Sequence, residues 1–272
     1  MELNKIYLMG GVDSFGVPYT RDNKLNLNHL NIVEEYLKQY YEDVILIDMY
    51  SMHKYNTTSY IDEMLENNLD LYQIVQNQKE SISLCRKSGI FQFFKLPQKT
   101  ENLYIPLEKN KSIGIRDIII NNNTLFVYSC GINDFLQMMD TNLQKLLSPK
   151  NMEESLKDLE DTISKIMLKM KKNFELLIDL NPQIEIYVLG VYIPTRVRYI
   201  RSMVKDAITL FNSCTKELCD NFSNVHFIDN SNLTIHEMAH VDWHPNYYGQ
   251  EMMGKNIIEI LEKESKKIKK TI

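Results

Sequence analysis

Five short apolar runs, separated by longer segments with helical spacing of apolar residues, constrain the fold of this chain most. The runs occupy residues 5–9, 43–47, 124–128, 184–190 and 225–229. Short runs that are apolar almost throughout are typical of strands buried on both faces, and strands that alternate with helices build parallel sheets. The sequence therefore predicts an α/β fold, a three-layer α/β/α domain around a central, mostly parallel sheet.

The segments between these runs repeat apolar residues every three or four positions, which is typical of helices with one buried face. The longest begins after Pro149, ends at Asn181-Pro182, and carries a stripe of Leu156, Leu159, Ile163, Ile166, Met170 and Leu177. Shorter stripes begin at Leu30 and Val204, and residues 247–267 are expected to form the closing helix. We expect one domain over residues 1–272, with an irregular or helical insertion around 59–110 in which 59–87 are mostly helical.

Composition excludes several classes of protein. The chain has 272 residues, 44% hydrophobic and 25% charged, as an ordinary globular domain has. A net charge of −5 without a dense basic stripe argues against nucleic-acid binding. No run approaches the roughly 20 apolar residues of a membrane span. The N-terminus lacks an apolar signal core and the four cysteines show no CxxC spacing, so we expect a cytoplasmic protein with reduced thiols.

Polar residues with complementary chemistry follow three of the predicted strands. Ser14, in Gly-Val-Asp-Ser, follows the first strand, and Asn133, in Gly-Ile-Asn-Asp, follows the strand at 124–128. Asp242 and His244, in Asp-Trp-His-Pro, follow the last strand. Parallel strands open onto one edge at their carboxyl ends, so these segments are expected to meet there. A hydroxyl, a base, a carboxylate and an amide donor are the groups that a serine nucleophile requires.

The order and context of these segments resemble the SGNH, or GDSL-type, hydrolase superfamily. The resemblance implies a three-layer, flavodoxin-like α/β/α fold over essentially the whole chain. It implies that Ser14 is the nucleophile, that His244 is its general base and that Asp242 orients the imidazole. The oxyanion hole would consist of the Ser14 N–H, the Asn133 side chain and a backbone N–H from Gly114.

The chain departs from the family pattern at three places. Val12 stands where the first block usually has glycine, and Gly11 is displaced by one. The carboxylate Asp242 lies two residues before His244 instead of the usual three. The glycine of the second block is assigned to Gly114 in preference to Gly89, which follows a predicted helix and is typical of a C-cap.

The resulting hypothesis is a serine esterase or acylhydrolase. It would cleave a carboxylic ester with a small acyl or O-acetyl group, on a small molecule or carbohydrate, through an acyl-enzyme on Ser14. No cofactor and no metal is required. An acyltransferase with the same triad, or a catalytically silent binding domain with this fold, would have a similar sequence. The acyl group, the alcohol and the oligomeric state are not predicted.

A competing motif overlaps the last block. Residues 236–240 read His-Glu-Met-Ala-His, the spacing with which zinc metallopeptidases bind their metal on a helix. This alternative leaves Ser14 and Asn133 unexplained, so we rank it below the serine hydrolase. Among the remaining polar residues, Asp134 is expected to be a helix N-cap, and His29 and His53 to be surface or satisfied structural histidines.

Overall fold

The structure is a computed structural model. It describes residues 5–10, 28–48, 58–70, 73, 113–129, 134–135, 152–192, 198–233 and 245–271, with residues 60, 152–156, 198–204, 247 and 265–271 described by their backbone alone.

The described residues form a five-stranded parallel sheet, which confirms the predicted fold class. The strands are β1 (Lys5–Gly10), β2 (Asp43–Asp48), β3 (Thr124–Tyr128), β4 (Glu185–Leu189) and β5 (Val225–Ile228). Their order across the sheet is β2-β1-β3-β4-β5, and every neighbouring pair is parallel. All five lie at the predicted runs, because each run is apolar enough to be buried between two layers.

Helices cover both faces of the sheet. They are α1 (His29–Leu37), α2 (Thr58–Glu66), α3 (Ile115–Asn121), α4 (Met152–Leu180), α5 (Arg198–Cys219) and α6 (Tyr247–Thr271). Helices α1 and α6 pack against each other, while α4 contacts α2, α3 and α5. Right-handed crossovers place these two groups on opposite faces. No helix in the described part of the chain has the length and apolar character to cross a membrane.

The predicted helix stripes form the core. The α4 positions Leu159, Ile163, Ile166, Met170 and Leu177 are all buried, as the sequence predicted. Leu30, Val33 and Leu37 bury the inner face of α1, and Ile208 and Phe211 that of α5.

The strand order reverses at β1, which leaves a crevice at the carboxyl ends of β1 and β3. Here β1 ends on Gly10, which is paired with Val127. A Cβ at Gly10 would lie 2.9 Å from the Val127 carbonyl oxygen and 3.1 Å from Leu30 Cδ2. The glycine therefore allows β1, β3 and the start of α1 to approach closely at this edge.

Of the irregular or helical insertion predicted around 59–110, the structure describes residues 59–70 and 73, so the insertion stays a prediction. Helix α2 ends at Glu66, and Asn68 adopts a positive φ of 45°. Asparagine tolerates this left-handed conformation and often ends helices, which accounts for the end of α2. Residue 73 is again helical, and residues 74–87 lie outside the described residues. Ile61, Met64 and Leu65 are buried in the core, so α2 packs as part of a helical layer.

Asn68 also caps helix α3, which begins after Gly114. Its Oδ1 accepts a hydrogen bond from the Arg116 N–H at 3.0 Å, and its Nδ2 donates to Asp117 at 3.2 Å. Gly114 is the N-cap residue of α3 and supplies no side-chain cap. A Cβ at Gly114 would overlap the Asn68 amide. The close approach of the Asn68 amide explains why position 114 is occupied by glycine.

Replacing Gly114 by alanine is expected to lower the free energy of unfolding by about 1–3 kcal/mol, because the added methyl group displaces Asn68. In an Asn68→Gly background the amide is absent and glycine accepts the positive φ, so the cost should fall to about half or less. Urea denaturation of the wild type, both single variants and the double variant measures this coupling. If Gly114→Ala lowers the free energy of unfolding equally in both backgrounds, the Asn68 amide is not the group that the methyl displaces.

Candidate active site

Two of the predicted site segments leave the sheet side by side. Ser14 follows the end of β1 at Gly10 by four residues, and Asn133 follows the end of β3 at Tyr128 by five. Since β1 and β3 are neighbours, both segments start at the same crevice. Ser14 and Asn133 themselves lie outside the described residues.

The predicted base segment also lies outside the described residues, but both of its ends are described. Asp242 and His244 fall between Leu233, which is buried after β5, and Pro245, which is buried before α6. Asn246 caps α6, because its Oδ1 accepts a hydrogen bond from the Gly249 N–H at 3.1 Å.

Asparagine side chains hold the segment after β5 in place. Asn230 is fully buried, and its Nδ2 donates to the Gly190 carbonyl oxygen at 3.2 Å. Asn256 of α6 donates to the Asp229 carbonyl oxygen at 3.1 Å and to Asn230 Oδ1 at 3.0 Å. The residues that follow β5 are therefore bonded to the side of α6, in its third turn.

A buried contact joins the two ends of the chain at this edge. His29 begins α1, after the Ser14 segment, and Gln250 lies in the first turn of α6, six residues after His244. Gln250 Oε1 accepts a hydrogen bond from the His29 N–H at 3.2 Å and lies 2.9 Å from His29 Nδ1. The backbone donor fixes the oxygen of the amide towards His29, so Nδ1 carries the proton.

Burial keeps His29 neutral. It lowers the pKa of His29 from 6.5 to about 4, and the hydrogen bond to Gln250 opposes this only in part. Among the described residues, His29 Nε2 and Gln250 Nε2 are buried without a hydrogen-bond partner. His29 is thus a structural histidine bonded at Nδ1, and of the two predicted alternatives the surface position is the one that the structure excludes. His53 lies outside the described residues.

Stability is expected to depend on pH through His29. Between pH 4 and 6.5 the unfolded chain binds a proton at His29 that the folded chain does not. Neutral His29 therefore makes its full contribution to the free energy of unfolding above pH 6.5. This contribution decreases as the pH falls towards 4, by about 3 kcal/mol at most. His29→Gln lacks this titration, so the stability advantage of the wild type should shrink between pH 7 and pH 4.5. The midpoints of urea denaturation of wild type and His29→Gln at both pH values measure this change. An equal difference between the two proteins at pH 7 and pH 4.5 would contradict the prediction.

The residue after Asn133 has a well-defined partner. Asp134 Oδ2 accepts a hydrogen bond from the Thr58 N–H at 3.1 Å, and Oδ1 accepts one from the Thr58 hydroxyl at 3.0 Å. Thr58 is fully buried and begins α2. Asp134 is itself helical, and the helix start that its carboxylate caps is that of α2.

Gly114, the predicted third oxyanion donor, lies at the other end of α2. Its neighbour Asn68 follows the last turn of α2, whereas Asp134 contacts the first residue, Thr58. A nine-residue helix is about 13 Å long. The described residues therefore do not bring Gly114 beside Asp134, and its part in an oxyanion hole stays a prediction. The alternative, Gly89, lies outside the described residues.

The competing metal motif is not described either, since His236, Glu237 and His240 all fall outside the described residues. Within the described part of the chain, no three His, Cys, Asp or Glu side chains are grouped so that they could hold a metal ion.

Comparison with known proteins identifies the fold. No family model matches the chain, and no curated protein matches it. Among solved structures, a lipase from a goat rumen metagenome is similar at 12% identity, over 94% of this chain and 96% of that one, with a TM-score of 0.57. A protein assigned as a GDSL-like lipase from Parabacteroides merdae is similar at 11% identity, over 94% of both chains, with a TM-score of 0.52.

The chain therefore has the three-layer α/β/α fold of the GDSL-type, or SGNH, hydrolases, as the sequence resemblance predicted. The likeness extends over nearly the whole length of each chain. At this low sequence identity it establishes the fold, and the activity has to be argued from the site itself.

Proposed function

We propose that this protein is a serine esterase or acylhydrolase that forms an acyl-enzyme on Ser14. The observation that carries the proposal is the hydrogen-bonded contact between His29 and Gln250 at the carboxyl edge of β1. It joins the segment that follows Ser14 to the helix that follows His244. The shared fold with two lipases supports the same conclusion.

Chain geometry supports contact between the nucleophile and the base. Ser14 is four residues from Gly10, and therefore within about 14 Å of the end of β1. Gly10 approaches Leu30 closely, and the preceding His29 contacts Gln250. His244 is two residues from the capped start of α6 at Asn246. Both side chains are thus tethered by short segments to the same edge of the sheet.

The reaction would proceed in two steps. His244, oriented by Asp242, takes the proton of Ser14, whose oxygen attacks the acyl carbonyl. The Asn133 amide and the Ser14 N–H, with Gly114 as the predicted further donor, stabilise the oxyanion. The alcohol leaves with the proton from His244. A water molecule, deprotonated by His244, then attacks the acyl-enzyme and releases the acid.

The proposed substrate is an ester of a small alcohol or carbohydrate with a small acyl or O-acetyl group. We also keep the expectation of a cytoplasmic location with reduced thiols. Within the described residues, Cys214 and Cys219 are both free, and burial raises the pKa of Cys219 to about 12.

Two substitutions test the proposal with p-nitrophenyl acetate. Ser14→Ala should abolish turnover and labelling by a fluorophosphonate probe, and Asn133→Ala should lower kcat about 10²–10³-fold because an oxyanion donor is lost. Ser164→Ala is the matched control, since its exposed hydroxyl donates to the Glu160 carbonyl oxygen on the surface of α4. It should keep wild-type activity, and chelator should not inhibit the wild type.

Other outcomes identify the alternatives. Chelator-sensitive peptide cleavage that survives Ser14→Ala would assign the activity to the zinc motif at 236–240. Faster transfer of the acyl group to an added alcohol than to water would make the protein an acyltransferase. Folded wild-type protein that neither turns over ester nor reacts with the probe at Ser14 would overturn the proposal in favour of a binding domain.

A further inference from the structure

We propose that one face of helix α2, which carries Thr58 and Asp62, positions Asn133 for catalysis. This inference rests on the proposed function, because it concerns the residue assigned there to the oxyanion hole. Thr58 and Asp62 touch no reacting atom in this proposal; they act through the residues before and after Asn133 in the sequence.

The first of these attachments lies at the end of β3. The Tyr128 hydroxyl donates a hydrogen bond to Asn173 Oδ1 at 2.7 Å, and Asn173 Nδ2 donates to Asp62 Oδ1 at 2.8 Å. Tyr128 and Asn173 are fully buried. Lys172 Nζ lies 3.4 Å from Asp62 Oδ2, so an ion pair accompanies the hydrogen bond at Asp62. The last residue of β3 is therefore bonded to α2 through one side chain of α4.

The second attachment is the contact between Asp134 and Thr58. Two hydrogen bonds from one residue, one from its N–H and one from its hydroxyl, fix both carboxylate oxygens of Asp134. The backbone N–H at the start of a helix donates to a carboxylate here, and such a charge-assisted hydrogen bond is stronger than one between neutral groups. The Cα of Asn133 is only about 3.8 Å from that of Asp134, so any displacement of Asp134 moves Asn133 as well.

The two attachments converge on one surface. Thr58 and Asp62 are four residues apart, so they lie on the same side of α2, about one turn from each other. Asn133 lies between Tyr128 and Asp134 in the sequence, and both of these are bonded to that side. An oxyanion donor must come within about 2.7–3.1 Å of the developing charge, and a misplacement of about 1 Å can cost 10²-fold in rate. Accurate placement of Asn133 thus depends on α2.

Thr58→Val tests the inference, because it removes the hydroxyl bond and keeps the side-chain volume. We expect kcat to fall by about tenfold while KM stays within about twofold, since the oxyanion forms only after substrate has bound. Thr58→Ser keeps the hydroxyl and should restore kcat to the wild-type value. Asp134→Asn, which keeps one acceptor oxygen and replaces the other with an amide nitrogen, should lower kcat in the same way and serves if Thr58→Val does not fold.

Thr124→Val is the matched control. Thr124 is a buried threonine at the amino end of β3, and its hydroxyl donates to the Asn122 carbonyl oxygen at 3.2 Å. It lies at the opposite end of the strand from Asn133. Its replacement should lower the midpoint of thermal unfolding without changing kcat, measured well below that midpoint.

A double-mutant cycle separates positioning from a general loss of stability. If Thr58 acts through Asn133, then Thr58→Val should have no further effect on kcat in an Asn133→Ala background. A wild-type kcat in folded Thr58→Val, or an undiminished loss in the Asn133→Ala background, would overturn the inference. If Ser14→Ala abolishes turnover and Asn133→Ala lowers kcat as expected but Thr58→Val keeps the wild-type kcat, only this inference fails; if Ser14→Ala stays fully active, the proposed function fails with it.

Discussion

The parallel pairing of β1 with β3 is the constraint on which the rest of the structure depends. With β2 on the far side of β1, successive crossovers must run in opposite directions from this pair, and the helices are divided between the two faces. The crevice at the carboxyl ends of β1 and β3 follows from that division. Gly10 lets the strands and α1 approach closely at this point. Side chains supplied by different layers can therefore meet only along this edge.

The contact between His29 and Gln250 shows how the two ends of the chain are held there. A charged imidazole with one unsatisfied nitrogen would be costly in this environment, whereas the neutral ring loses only one hydrogen bond. Burial therefore selects the neutral form, and the neutral form donates from Nδ1 to Gln250. The hydrogen bonds make the contact directional, because the Gln250 oxygen must face both His29 donors.

The sequence predicted the sheet well and the contacts poorly. Strands and helix stripes are local patterns, so the run at 124–128 and the stripe from Leu159 to Leu177 were visible in the sequence. The end of α2 leaves no periodic signal in the sequence, because it depends on a positive φ at Asn68. The hydrogen bonds between Thr58 and Asp134 join residues 76 positions apart, so no local pattern in the sequence predicts them. His29 did leave a signal, because it precedes Val33 by four residues and lies on the buried stripe of α1.

The two groups of contacts lie in different helical layers. The contact between His29 and Gln250 belongs to α1 and α6, and it flanks the proposed nucleophile and base. The contacts of Thr58 and Asp62 belong to α2 and α4, and they flank the proposed oxyanion donor. Because these layers lie on opposite faces, the sheet between them fixes one set of groups relative to the other. One set of hydrogen bonds would then support attack on the carbonyl, and the other would support stabilisation of the resulting charge. The paired strands β1 and β3 fix the position of one set relative to the other.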